Sequence, residues 1–184
     1  ERMAQLAADQ LKTLLNQPEP LSPGANLTLE VHQKTFMVKA KVLDSVEVAE
    51  EKVRTLSAQV KQARSEGADA KALRLLESLK EGAENNLLSC RNASGLRAIP
   101  LSISCIQLPS VKLITVPVEL FSKLSNPVKA RWNAEFIGYT NGYSLYMADE
   151  NAFDQQFYEA MSSPFEKGAG EQLIREIGDW LATL

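Results

Sequence analysis

Apolar residues in this chain change period several times, and each change predicts an element. Met3, Leu6, Ala7, Leu11, Leu14 and Leu15 recur at helical spacing and predict an amphipathic helix over residues 2–15. The stretch NQPEPLSPG (16–24) predicts a loop. From Leu27 the period falls to two: Leu27, Leu29 and Val31 alternate with Thr28, Glu30 and His32, and Phe36, Val38, Ala40 and Val42 continue. This predicts two strands within 27–42, with a turn near Gln33-Lys34. At Asp44 the helical period returns, and Asp44 with Glu47 three residues on resembles a capping box. Ala49, Val53, Leu56, Val60 and Ala63 then trace a narrow apolar seam, broken by SEGAD (65–69) and resumed by Ala72, Leu76, Leu79, Ala83 and Leu87. Two helices, about 44–63 and 69–88, are therefore expected to fold back as an antiparallel hairpin.

The second half alternates more quickly. NASG (92–95) closes the hairpin, and Ile99, Leu101, Ile103 and Cys105 alternate with polar residues as in a strand. LPS (108–110) turns the chain into VKLITVPVE (111–119), apolar on both faces as a central, doubly covered strand is. Helix propensity resumes at Glu119-Leu120-Phe121, and EFIGY (135–139) reads as a short buried strand. Leu173, Ile174, Ile177, Trp180, Leu181 and Leu184 form a stripe that predicts a closing helix over 170–183. The fold class is α/β or α+β, with one mixed sheet covered by helices.

Composition narrows this further. The chain has 184 residues, 45% of them hydrophobic and 23% charged, which suits one domain over 1–184 with the hairpin (about 44–88) as an excursion. A chain of this size buries about 70% of its unfolded surface, so it needs no staples. A net charge of -3 without a basic cluster argues against nucleic acid. No apolar run reaches the ~18 residues of a membrane span. The hairpin's Lys, Glu, Arg and Gln residues read as solvated faces of an arm, used for packing or for forming a homodimer. Cys90 and Cys105 are too few for a disulfide framework; one bridge and two free thiols both remain open, free thiols being the simpler reading. The sequons at Asn26 and Asn92 matter only in a eukaryotic secretory protein. The chain starts inside a helical pattern, with no initiator methionine or signal peptide, so it is expected to be the later part of a longer polypeptide.

Familiar catalytic inventories do not fit. His32 is the only histidine, on the polar side of its strand, so a His-rich metal site and a Ser-His-Asp triad are both out of reach. There is no Gly-rich phosphate loop and no Cys-x-x-Cys. Two places stand out. Glu119 follows a buried apolar strand directly, at the carboxyl end where open α/β sheets bind ligands, although a helix N-terminus also favours a glutamate. FIGYTNGYSLYM (136–147) sets Tyr139, Tyr143 and Tyr146 around Asn141-Gly142, a type I′ turn signal. Locally it reads as two short strands joined by a tight turn, with the tyrosines as packing.

LITVPVELF, AEFIGYTNGYSLYM and FYEAMSSPFEKGAGEQLI, in that order and spacing, resemble the C-terminal part of the neutral (alkaline, non-lysosomal) ceramidase family. The resemblance covers roughly residues 96–184. It implies a zinc-dependent amidohydrolase that cleaves the N-acyl bond of ceramide or a related lipid amide, in a secreted, periplasmic or envelope-associated protein. Zinc in that family is held by two histidines, a glutamate and a tyrosine. By the motifs, Glu119 takes the glutamate's place in Pro117-Val118-Glu119, and Tyr143 is expected as the tyrosine ligand and catalytic group. Both histidines are expected outside this chain, in a preceding portion, and His32 matches neither. Tyr139 and Tyr146 would then line the pocket, and Tyr158-Glu159 would lie near the site. The isolated chain is expected to bind zinc weakly and to be inactive. Val118 stands where the family has Gly, a residue free to adopt positive φ. That departure opens a second reading, a non-catalytic scaffold or binding module with a decayed metal site.

Overall fold

A computed structural model describes residues 2–16, 28–92 and 95–184. The first predicted helix forms as α1 (Arg2–Leu15). The strand predicted to begin at Leu27 starts outside the described residues in part, and the rest differs from expectation. Instead of two strands there is one, β1 (Glu30–Lys39), running straight through Gln33-Lys34. Phe36 and Val38 point into the core, whereas Leu29 and Val31 are exposed, so the apparent change of phase came from apolar residues on the outer face.

The hairpin forms as α2 (Val46–Ser65) and α3 (Ala70–Arg91). Ser45, not Asp44, caps α2, accepting a hydrogen bond from the Val48 amide; Asp69 caps α3 through two amides. Ala49, Val60 and Ala83 bury in the seam, while Ala72 stays exposed. Arg64–Glu77 and Arg91–Glu50, both 2.7 Å apart, tie the helices together near either end.

β2 (Ala98–Gln107) pairs antiparallel with β1 and with β3 (Lys112–Thr115), and β3 pairs parallel with β5 (Ala134–Ile137), giving a mixed sheet of order β1-β2-β3-β5. One face carries Phe36, Val38, Leu101, Ile103, Cys105 and Ile114 into the core. α4 (Ser122–Trp132) and α7 (Ala169–Leu181) cover that face, with Phe36 edge-on to Trp180 at 5.8 Å. The expected cover of helices is thus present on this side. Val31, Met37 and Ile137, on the opposite face, are exposed.

Glu119 and Leu120 do not start a helix as predicted. They form a two-residue strand, β4 (Glu119–Leu120), paired parallel with β6 (Tyr146–Met147), and the helix begins only at Ser122. Two short helices, α5 (Glu150–Asp154) and α6 (Tyr158–Ser162), link β6 to α7. α6 lies against α3, which joins the hairpin to the rest of the fold. Cys90 and Cys105 are both free, so the bridge is excluded; burial pushes both thiols up. Among the described residues, no helix is long and apolar enough to cross a membrane.

Candidate functional site

The site forms where β3 leaves the four-stranded sheet. Val116, Pro117 and Val118 continue the strand direction and are buried. Residues 137–147 enclose them on both sides. The Val116 amide donates to Ile137 O (2.9 Å), Thr140 N to Val116 O (3.2 Å), Ser144 N to Pro117 O (2.7 Å) and Glu119 N to Leu145 O (2.9 Å). The backbones approach so closely that a Cβ on Gly138 would sit 2.9 Å from the Val118 carbonyl oxygen. Glycine at 138 is therefore a packing requirement.

This wrapping needs unusual backbone. Tyr139 (φ 58°), Asn141 (φ 59°) and Leu145 (φ 59°) are all left-handed, and Gly142 has φ 138°. For tyrosine and leucine such a conformation costs on the order of 1 kcal/mol or more, and persists only where surrounding bonds impose it. The Asn-Gly pair does take positive φ, as its type I′ signal suggests. No hairpin results, because β5 pairs with β3 and β6 pairs with β4. Val118 is absent from the positive-φ positions, and its side chain is wholly buried in the core. The strain expected of Val in place of Gly does not arise.

Glu119 stands directly opposite Tyr146 in the parallel β4–β6 pair. Partners in such a pair lie about 4.8 Å apart with side chains on the same face. Interaction with the neighbouring Glu119 carboxylate pushes the Tyr139 phenol up to about 12. Burial, and then the nearby Glu119 charge, push Tyr146 up as well. Tyr158 packs edge-on to Tyr146 at 5.9 Å, so the Tyr158-Glu159 pair does reach the site. Tyr143 is placed differently from the expectation. It is 52% exposed and stacks on Tyr139 at 5.2 Å. Tyr146, expected only to line the pocket, is the tyrosine paired with Glu119. The usable signal was that Tyr146-Met147 and Glu119-Leu120 are each a polar–apolar pair, suited to adjacent short strands.

The donors gathered here are a carboxylate and phenol oxygens, both suited to zinc. Catalytic zinc usually takes about three protein ligands. Among the described residues, no group of three or more His, Cys, Asp or Glu side chains is placed to hold a metal. His32 pairs with Cys105 across β1–β2, two strands away from β3, and its ring lies 3.4 Å from Glu30. The residues present fit part of a zinc shell in kind, and fall short in number.

No protein-family model and no curated protein matches the chain. Among the solved structures that resemble it are two ceramidases. One is a neutral ceramidase from Pseudomonas aeruginosa, at 15% identity and a TM-score of 0.49, over 84% of this chain and 28% of that one. The other is a ceramidase complexed with C2, at 19% identity and a TM-score of 0.42, over 46% of this chain and 15% of that one. The chain therefore spans less than a third of either structure's length.

Proposed function

We propose that the protein carrying these residues is a zinc-dependent amidohydrolase of the neutral ceramidase kind, acting on the N-acyl bond of ceramide or a related lipid amide. The observation that carries this reading is the pairing of Glu119 with Tyr146, flanked by Tyr139 and Tyr158. Residues from three separate motifs converge there, although nothing in their local sequence requires it. Glu119 and Tyr146 would hold the metal, with the remaining ligands supplied from outside these 184 residues. When bound, zinc supplies a hydroxide near neutral pH and polarises the amide carbonyl.

The chain's own groups have distinct tasks. Tyr139 lies beside the Glu119 carboxylate, which holds its phenol protonated. Tyr158 packs edge-on against Tyr146, close enough for its charge to help raise the Tyr146 phenol. Tyr143 stacks on Tyr139 and forms the outer wall, so Tyr146 replaces it in the proposed metal shell. A decayed, non-catalytic site loses its main support, because Val118 sits in ordinary backbone.

The test is zinc content and acyl-amide hydrolysis in the full-length protein and in Glu119→Gln, Tyr146→Phe and Tyr143→Phe. Loss of both zinc and activity in the first two, with retention in the third, is expected. Unchanged zinc and activity in Glu119→Gln and Tyr146→Phe would overturn the assignment. The 184-residue chain alone is expected to bind zinc weakly and to hydrolyse nothing.

A further inference from the structure

The helical hairpin reaches the site through one side chain. Asn85, on α3, points its amide nitrogen at two hydroxyls of α6: Tyr158 Oη at 3.1 Å and Ser162 Oγ at 3.1 Å. An amide nitrogen has two N–H groups and accepts nothing, so both of its donors are used here. The Tyr158 oxygen is therefore the acceptor, and its own proton is turned away from the Asn85 nitrogen. The Tyr158 ring packs edge-on against Tyr146.

Contacts around this bond hold α6 in place. A Cβ on Gly82 would meet the Met161 side chain at 2.5 and 3.0 Å, so α3 and α6 are as close as a missing side chain permits. Gly82 and Asn85 are three residues apart and share one face of α3. From the opposite direction, Lys41 Nζ donates to the Met161 carbonyl at 2.9 Å, in a setting whose burial lowers the ammonium's pKa. α6 is only five residues long, too short to hold its own position without such supports.

We infer that Asn85 is a positioning residue for the reaction, acting through Tyr158: it accepts no proton and touches no substrate, but fixes the direction in which the Tyr158 hydroxyl donates. The hairpin is thereby a working wall of the site. This inference rests on the proposed amidohydrolase reading, in which Tyr158 stands beside Tyr146.

The experiment uses the full-length protein with a ceramide-type acyl amide, with Glu119→Gln as the inactive reference. Asn85→Ala is expected to lower kcat about tenfold with KM within about twofold, a fraction of the 10²–10⁴ a positioned proton-transfer group contributes. Asn85→Asp is isosteric, so it preserves packing, but its carboxylate accepts the Tyr158 proton. It is expected to lower kcat at least as far. In a Tyr158→Phe background, Asn85→Ala is expected to have no further effect, which a merely structural role would not produce. A second readout needs no turnover: with ¹³Cζ-labelled tyrosine, the resonance lost in Tyr158→Phe is expected to shift in Asn85→Ala. Unchanged kcat with an unmoved resonance, or losses that multiply in the double variant, would overturn the inference while leaving the amidohydrolase reading intact. If the resonance shifts but the wild-type protein hydrolyses no acyl amide, the contact stands, and the proposed function and the catalytic role of Asn85 fall together.

Discussion

Two pairs of tyrosines flank Glu119, and they are built in opposite ways. The inner pair, Tyr146 and Tyr158, is half-buried and edge-on. Tyr146 sits in a strand, Tyr158 opens a helix, and Asn85 binds the Tyr158 hydroxyl from another part of the fold. The outer pair, Tyr139 and Tyr143, is 59% and 52% exposed and stacked face to face, with Tyr139 in left-handed backbone. Four chemically identical groups within 20 positions of sequence (139 to 158) are thus divided by backbone pairing into rigidly held and loosely held sets. Rigid support is what precise proton donation or metal binding needs; a stacked exposed pair suits a wall that substrate brushes past.

The comparison breaks most visibly on activity. If the proposed function holds, Tyr146→Phe in the full-length protein is expected to lower kcat/KM by about 10²–10⁴-fold and Tyr143→Phe by less than threefold, measured as acyl-amide hydrolysis. The reverse order would transfer the chemistry to the outer pair. Next comes the frame that serves both pairs. Gly138→Ala forces a Cβ toward the Val118 carbonyl and is expected to destabilise the fold by about 1–3 kcal/mol in urea denaturation. A neutral result would mean that the 116–121 and 137–147 segments separate freely.

A third prediction concerns pH. Without metal, Tyr139 is expected to titrate near 12, first because its protonated hydroxyl interacts with the Glu119 side chain, and further because burial and the Glu119 charge disfavour a second anion there. The folded value lies above the usual phenol value of about 10. The contact therefore stabilises the fold fully below pH about 10, and that contribution disappears as pH rises through about 12. Ultraviolet tyrosinate titration should show one phenol moving down in Glu119→Gln; an unmoved curve would separate Tyr139 from Glu119. The smallest effect is expected for Tyr143→Ala, which removes one exposed stacking partner and costs about 0.5–1.5 kcal/mol in thermal unfolding.

Legibility in sequence followed how local each cause was. The hairpin, β2 and the closing helix were readable because seam, alternation and stripe are properties of neighbouring residues. β1 was misread because Leu29 and Val31 look inward-facing to a counting rule but lie on the exposed sheet face. Glu119 was singled out correctly as lying past a buried strand, yet its own element was mistaken, because a two-residue strand exists only through its partner. The roles of Tyr146 and Asn85 likewise depend on distant partners, and only the matching polar–apolar pairs Tyr146-Met147 and Glu119-Leu120 hint at the first. The nearest hint of Asn85 was Gly82 and Asn85 on one face of a helix otherwise rich in Lys and Glu, a small and polar patch where solvated charge was expected.

The hydrogen bonds that hold α6 also constrain the order of assembly. Asn85–Tyr158 closes a loop of 73 residues and Lys41–Met161 one of 120, whereas the hairpin's own contacts are local. Local elements form quickly, and contacts between distant segments wait for the chain between them to collapse. The tyrosine arrangement is therefore among the last features to appear during folding and among the first to be lost on partial unfolding. A nascent or damaged chain can hold its hairpin and most of its sheet and still have no competent site, so activity reports completion of the fold more strictly than helix content does.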